Sequence, residues 1–249
     1  MTLIHAGATL AATLLFVFAF VRERPLRLRE RLDPRTFVSI AGGAAVAYVF
    51  VGLSPELQSA GVAFRESTSH LGLRFLRYGV NVATMLGFLF FYGVDQLVMR
   101  ELEVEAPSRD AGAGRALRLF SVHIGSFAAY TWVVSYLMVS SEHHVTARFV
   151  FYALAMAFHF VSVASTLRDE HGSLYARKGA WTLAGASLAG WVCGLAFALP
   201  DPVTGFLLGL VAGGVMANTV ISELPRQRQG RLVPFVLGAV VYAFFLLLA

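Results

Sequence analysis

Charge is what this chain has least of: Asp, Glu, Lys and Arg make up only 14% of its 249 residues, against 57% apolar residues and a mean hydropathy of +0.67. Soluble domains carry about 25% charged residues. Composition therefore excludes a water-soluble domain and leaves no stretch for a separate soluble catalytic unit. Cysteine is almost absent. Cys193 stands alone within an apolar stretch, which rules out an intramolecular disulfide and leaves a small packing residue as the plain meaning. No Walker, Gly-x-Ser-x-Gly or His-Glu-x-x-His pattern occurs, so hydrolases built on those motifs have no basis here and a non-enzymatic role is expected. Lysine is reduced to Lys178, and a formal charge of +5 rests on arginine. Because the arginines follow membrane topology, no nucleic-acid partner is expected.

The apolar residues fall into eight runs, at about 2–21, 36–53, 78–99, 117–139, 147–167, 180–199, 203–221 and 232–249. Each is near the ~20 residues that a ~30 Å hydrocarbon layer requires. The expected fold is an all-α membrane protein of eight transmembrane helices, with residues 1–249 forming one polytopic domain in the lipid bilayer. Sixteen of the 20 basic residues lie in alternate connections: Arg22, Arg24, Arg27, Arg29, Arg31 and Arg35, then Arg100, Arg109, Arg115 and Arg118, then Arg168, Arg177 and Lys178, then Arg226, Arg228 and Arg231. Only Arg65, Arg74, Arg77 and Arg148 lie opposite. The positive-inside rule then places both termini outside. The first run has no basic residue before it and meets arginines rather than a cleavage site, so a retained helix is expected instead of a secretory signal. Arginine in place of lysine, with abundant alanine and glycine, points to a bacterial cytoplasmic membrane.

Runs 2 and 7 share a texture. Ala41-Gly42-Gly43 leads to Ser54-Pro55-Glu56, and Ala212-Gly213-Gly214 leads to Ser222-Glu223-Leu224-Pro225. The two runs cross in opposite directions, as inverted repeats require, with runs 1–3 and 6–8 as the halves around a central pair. Glycines four apart, Gly205, Gly209 and Gly213 on run 7 and Gly190 and Gly194 on run 6, strip one helix face of side chains and predict close packing of both runs. Residues 54–77 read as an outer segment in which Ser67-Thr68-Ser69 starts a helix. Residues 100–116 read as a solvated inner loop.

An ionisable group within hydrocarbon costs several kcal/mol, so any that occur there are candidates for function. His123 in run 4 and His159 in run 5 are each followed at i+3 by a serine, Ser126 and Ser162, giving the same His-x-x-Ser face twice. Tyr130, Tyr152 and Thr166 extend these faces. Asn218 in run 7 is the best additional polar partner. Asp95 and Glu223 sit near inner ends beside arginines, where interfacial pairing accounts for them. Neutral imidazole binds transition metals, whereas hydroxyls more often orient a ligand than act as one. His123 and His159 are thus candidate ligands for a divalent metal such as zinc, with Ser126, Ser162, Asn218, Tyr130, Tyr152 and Thr166 along a substrate path. The alternative is two neutral histidines hydrogen-bonded to neighbouring helices. Outside, Ser140-Ser141-Glu142-His143-His144 reads as a polar turn able to gather cations.

This layout resembles the ZIP (Zrt-, Irt-like) family of metal transporters over essentially the full chain. The residues that carry the resemblance are Ala41-Gly42-Gly43 through Leu53-Ser54-Pro55-Glu56, then Phe88-Leu89-Phe90-Phe91-Tyr92-Gly93-Val94-Asp95, then Gly205 to Pro225. It implies a three-plus-two-plus-three arrangement with inverted outer repeats, a homodimer, and His123 and His159 as leading ligands on spans 4 and 5. The carboxylate positions of that family's motifs fall here on Phe127 and Val163, and its motif proline is missing from both spans. Three functions follow: divalent-metal transport through a reduced site, a ZIP-fold protein that moves another solute or serves a structural or regulatory partner, and a haem gripped between two histidines. Apart from the possible metal or haem, no cofactor is expected.

Overall fold

Long helices account for nearly all of the structure, a computed structural model that describes residues 3–22, 34–71, 78–103, 109–140, 147–219 and 231–248. No strand occurs among the described residues. Arg24 to Arg31, Arg74, Arg77, Pro107, the Glu142-His143-His144 turn and Glu223 to Arg228 lie outside them. The helices are α1 (Leu3–Val21), α2 (Pro34–Ala47), α3 (Ser54–Thr68), α4 (Gly79–Glu103), α5 (Arg109–Ser140), α6 (Ala147–His171), α7 (Ala180–Ala196), α8 (Asp201–Asn218) and α9 (Leu232–Leu248). Leu3–Val21, Gly79–Glu101, Gly114–Ser140, Phe149–His171 and Tyr175–Ala196 are long and apolar enough to cross a membrane. The three other apolar runs lie on α2, α8 and α9. Large apolar side chains face outward all round, among them Phe18, Leu89, Phe90, Val122, Phe158, Trp181, Leu237 and Phe244. Water-soluble proteins rarely expose contiguous apolar surface on this scale, whereas a bilayer requires it.

The second apolar run does not end its helix at Leu53. A π-helical turn, Tyr48–Leu53, joins α2 directly to α3. Pro55 supplies the physical reason, because its nitrogen has no hydrogen for the carbonyl four residues earlier. The ladder shifts by one residue instead. The Ser54 N–H donates to the Val49 carbonyl, and the Ser54 hydroxyl donates to it as well at 3.2 Å. At the far end of α3 the hydroxyls of Thr68 and Ser69 bond back to the carbonyls of Phe64 (2.7 Å) and Glu66 (2.9 Å). Ser67-Thr68-Ser69 therefore closes a helix where the sequence reading expects one to begin. The expected loop over 100–116 is also mostly helical, with Glu101 of α4 ion-paired to Arg115 of α5.

With α2 and α3 taken as one continuous helix, chain direction alternates along the sequence. The closest pairs, α4 with α8, α2 with α9 and α5 with α7, run parallel, while α1 lies antiparallel to α7 and parallel to α6. Glycine makes the first two contacts possible. A Cβ on Gly213 would strike the Thr84 carbonyl and the Phe88 nitrogen; on Gly43 it would strike the Phe235 carbonyl and the Ala239 nitrogen. Reciprocally, Gly87 meets the Leu210 carbonyl and Gly238 meets the Ile40 carbonyl. The two interfaces share one geometry. A constant 170 residues takes Ile40 to Leu210 and Gly43 to Gly213, and a constant 151 takes Thr84 to Phe235, Gly87 to Gly238 and Phe88 to Ala239. Exchanging α1 with α7, α2 with α8, α4 with α9 and α5 with α6 maps each of these closest pairs onto another packed pair. Runs 6 and 7 do pack closely, each on a different helix: Gly190 on Trp132 of α5, Gly209 and Gly213 on α4.

The centre is aromatic. Phe16 and Phe20 of α1 close on Phe160 of α6 at 5.0 Å and 4.8 Å between ring centroids. Polar side chains join helices where small residues let them meet: Ser135 and Ser187 at 2.9 Å between α5 and α7, and Trp191 donating to Thr9 at 3.2 Å between α7 and α1. His5 ties α1 to the Val139 carbonyl of α5 at 3.2 Å.

Candidate metal centre

Helix α6 ends at His171 because Gly172 adopts φ 51°, the left-handed conformation that glycine enters without a Cβ penalty, and its N–H returns to the Arg168 carbonyl at 2.8 Å. That stop leaves Glu170 and His171 in the last helical turn, beside His123 on α5. His123 Nδ1 lies 3.1 Å from His171 Nε2 and 3.3 Å from Glu170 Oε2. The three ligand atoms fall within 4.8 Å of one another. His123 and the Glu170 side chain are both buried. Tetrahedral zinc at about 2.0–2.1 Å from each ligand atom sets its ligands roughly 3.3 Å apart, so two of the three separations already match. Without a metal, the imidazole pair is a hydrogen bond in which one ring donates and the other accepts. Arg168, two residues before Glu170, donates to the Arg22 carbonyl at 2.6 Å with its guanidinium over the Tyr175 ring.

A small cavity adjoins His123. It is lined by Asp95 and Phe91 of α4, His123 and Phe127 of α5, Val163, Thr166 and Leu167 of α6, and Asn218 of α8. Its volume, ≈ 10 Å³, is about that of one water-sized sphere. The Asn218 side chain is buried, and its Nδ2 has no hydrogen-bond partner among the described residues.

His159 occupies a different place. Its Nε2 meets the Tyr130 hydroxyl at 3.3 Å, and it lines a second cavity with Ala44, Ala45, Tyr48, Ala155, Phe158, Val215 and Tyr242. Tyr130 is seven residues from His123, roughly 10 Å along α5, and His159 is twelve residues from His171, roughly 18 Å along α6. One ion cannot hold both His123 and His159 across that span, and neither can one haem iron. Ser126 is spent on its own helix, donating to the His123 carbonyl at 2.8 Å. Ser162 is half-buried. Tyr152 packs 6.1 Å from the Tyr48 ring, and Thr166 lines the His123 cavity.

The two cavities are counterparts under the internal exchange. Asn218 corresponds to Tyr48 at the offset of 170 residues and Phe91 to Tyr242 at 151. The repeated His-x-x-Ser supplies a third constant, 36 residues, which takes His123 to His159 and Tyr130 to Thr166. Asp95 has Leu246 as its counterpart at 151 residues, so only the His123 side carries a carboxylate there.

Sequence reading alone missed Glu170 and His171 as site residues, because the apolar run ends at Leu167. A signal was present: Asp169-Glu170-His171 directly before Gly172 puts ligand-type side chains in a final helical turn. Comparison with protein-family models, with curated proteins and with solved structures finds no match to this chain.

Proposed function

We propose that this protein is a ZIP-like, eight-span membrane transporter for divalent metal ions, working through a reduced, single-ion site. The observation that carries the proposal is the cluster of His123 Nδ1, Glu170 Oε2 and His171 Nε2, in which both separations from His123 match those between the ligands of a tetrahedral cation. Two imidazoles and one carboxylate with a fourth position left for water or a moving ligand is a zinc-type set. Where the resemblance puts carboxylates, Phe127 and Val163 stand, so the ion sits closer to the arginine-rich end and takes its anionic ligand from the last turn of α6. A dication in a low-dielectric setting needs such charge to offset its lost hydration.

The exchange of α1, α2 and α4 with α7, α8 and α9 supports inverted halves around α5 and α6, the arrangement with which transporters of this kind alternate access. With the arginine-rich connections in the cytoplasm, both termini lie outside and the cluster is at the inner end of the path. The test is metal influx into proteoliposomes holding the purified protein. Zn²⁺ or Co²⁺ flux is expected, reduced at least tenfold in His123→Ala and in His171→Ala. Flux equal in wild type and both variants overturns the proposal.

A further inference from the structure

We infer that the apolar groove between α2, α6 and α9 binds one anionic phospholipid from the arginine-rich side of the bilayer, with its phosphate at Thr36 and Arg231 and one acyl chain along Ile40, Phe158, Val241 and Phe245. The inference rests on the membrane-spanning architecture and not on metal transport.

Three observations carry it. First, the groove has the size and lining of a tail site. Its volume is ≈ 400 Å³, and its walls come from Ile40 and Ala44 of α2, Phe158 of α6 and the stretch of α9 from Leu237 to Phe245. Small-molecule sites span about 300–1,000 Å³. Ile40, Phe158, Leu237, Val241 and Phe245 are all exposed, so the groove opens sideways onto the surrounding hydrocarbon.

Second, the groove leads away from a polar, cationic end. The Arg231 backbone N–H donates to the Ser39 hydroxyl at 3.0 Å and its guanidinium to the Thr36 hydroxyl at 3.2 Å, and Ser39 directly precedes Ile40. Arg231 is exposed. A guanidinium carries five N–H donors in a fork that suits phosphate, so it can hold a phosphate oxygen alongside its protein partners. Sixteen of the 20 basic residues fall in the alternate connections that include Arg231, and a surface of that charge attracts anionic lipid. The lengths agree as well. Leu237 is six residues from Arg231 and Phe245 fourteen, which places the groove roughly 9 to 21 Å along α9, whereas one leaflet contributes about 15 Å of hydrocarbon. A lipid anchored at Arg231 thus reaches the groove with its chain and not with its headgroup.

Third, the protein fills the equivalent space itself in the other half. Gly214, the counterpart of Ala44 at 170 residues, has the Phe91 and Tyr130 rings so close that an added Cβ would lie 2.9 Å and 3.1 Å from them. Tyr242, the counterpart of Phe91 at 151 residues, is tied instead to the Phe151 carbonyl of α6 at 2.8 Å, and Val241 stands where the other half has the larger Phe90. Beside Ala44 the space stays open. Apolar chains gain little by leaving other hydrocarbon, so dense packing against Phe158 and Phe245 and the charge of the headgroup hold the lipid. Seated there, it bridges the α2–α9 pair to α6.

The test is mass spectrometry of the intact, full chain purified in detergent and equilibrated with phosphatidylglycerol or phosphatidylethanolamine of identical acyl chains. Wild type is expected to retain one phosphatidylglycerol, with an apparent affinity at least tenfold above that for phosphatidylethanolamine. Arg231→Gln is expected to bring the two lipids within threefold of each other. Val241→Phe, which copies Phe90, is expected to weaken both at least tenfold while keeping the lipid-free thermal transition, and Leu237→Trp at the exposed mouth to do the same, so that a folding defect in one variant does not decide the result. The inference is overturned if wild type retains no lipid, if it binds the two lipids alike, if Arg231→Gln keeps the preference, or if both groove-filling variants retain lipid as wild type does. A lipid-free dimer that Val241→Phe dissociates also overturns it, since a second copy then covers the groove.

Discussion

Adding one methyl group to Gly213 should loosen the α4–α8 interface, and by an amount the geometry sets. The new Cβ would fall against the Thr84 carbonyl, 2.5 Å from the Phe88 nitrogen and 3.0 Å from the Gly87 carbonyl carbon, all backbone atoms of a helix that cannot rotate away. The two helices must then separate, which forfeits packing along their length. Overpacking of this kind costs about 1–3 kcal/mol, with rigid backbone neighbours placing it near the upper end. Alanine's higher helix propensity returns about 1 kcal/mol, leaving a net loss of about 2 kcal/mol. The internal exchange adds a sharper demand: Gly43→Ala, which meets the Phe235 carbonyl and lies 2.7 Å from the Ala239 nitrogen, should lose about as much as Gly213→Ala. Gly125, with nothing within 4 Å, is the control and should lose nothing. Thermal unfolding in detergent, followed by the fraction remaining monodisperse on gel filtration, measures all three. If Gly213→Ala and Gly43→Ala melt with the Gly125→Ala control, the close helix contacts and the inverted pairing built on them are wrong.

Tyr130→Phe removes the hydroxyl that meets His159 at 3.3 Å; it should cost about 1 kcal/mol of stability and leave Co²⁺ affinity unchanged, as titration of the variant will tell. Acidification should release the metal, because both imidazoles must be unprotonated to ligate, with the pH dependence of Co²⁺ affinity becoming shallower in His171→Ala; a slope identical in wild type and variant argues against His171 as a ligand. Glu170→Gln keeps the shape of the cluster but removes its charge, and should weaken Co²⁺ binding more than tenfold while the thermal transition stays in place.

Much of the architecture is legible in the residues. Apolar runs gave the helices, and alternate arginine clusters match the alternating chain direction seen from Arg22 beside Arg168 to Arg231 beside Thr36. The paired Ala-Gly-Gly texture does mark the repeat, yet it aligns Gly43 with Gly214, whereas the packed structure pairs Gly43 with Gly213. Small residues in a row serve equally well at either register, and only the partner helix decides. The continuity of α2 into α3 was hidden for a different reason: Ser-Pro reads locally as a helix start, and a π turn that absorbs proline inside a helix has no local signature.

The site was half legible. His123 and His159 stood out because hydrocarbon makes them costly, but nothing in their spacing says that the helices set them more than a turn apart with separate partners. Glu170 and His171 lie beyond the apolar boundary, where a charged residue needs no explanation. Their meaning comes from the stop at Gly172, which leaves them in the last turn of α6 beside His123 of α5. Asp95, read as an interfacial acid, lines the same cavity as His123.

The most direct measurement is the zinc K-edge absorption spectrum of the protein loaded with one equivalent of Zn²⁺. Two imidazole scatterers at about 2.0–2.1 Å with an oxygen ligand are expected, falling to one imidazole in His171→Ala. A first shell without histidine, or one that is the same in wild type, His123→Ala and His171→Ala, contradicts the assignment of His123, Glu170 and His171 as the metal centre.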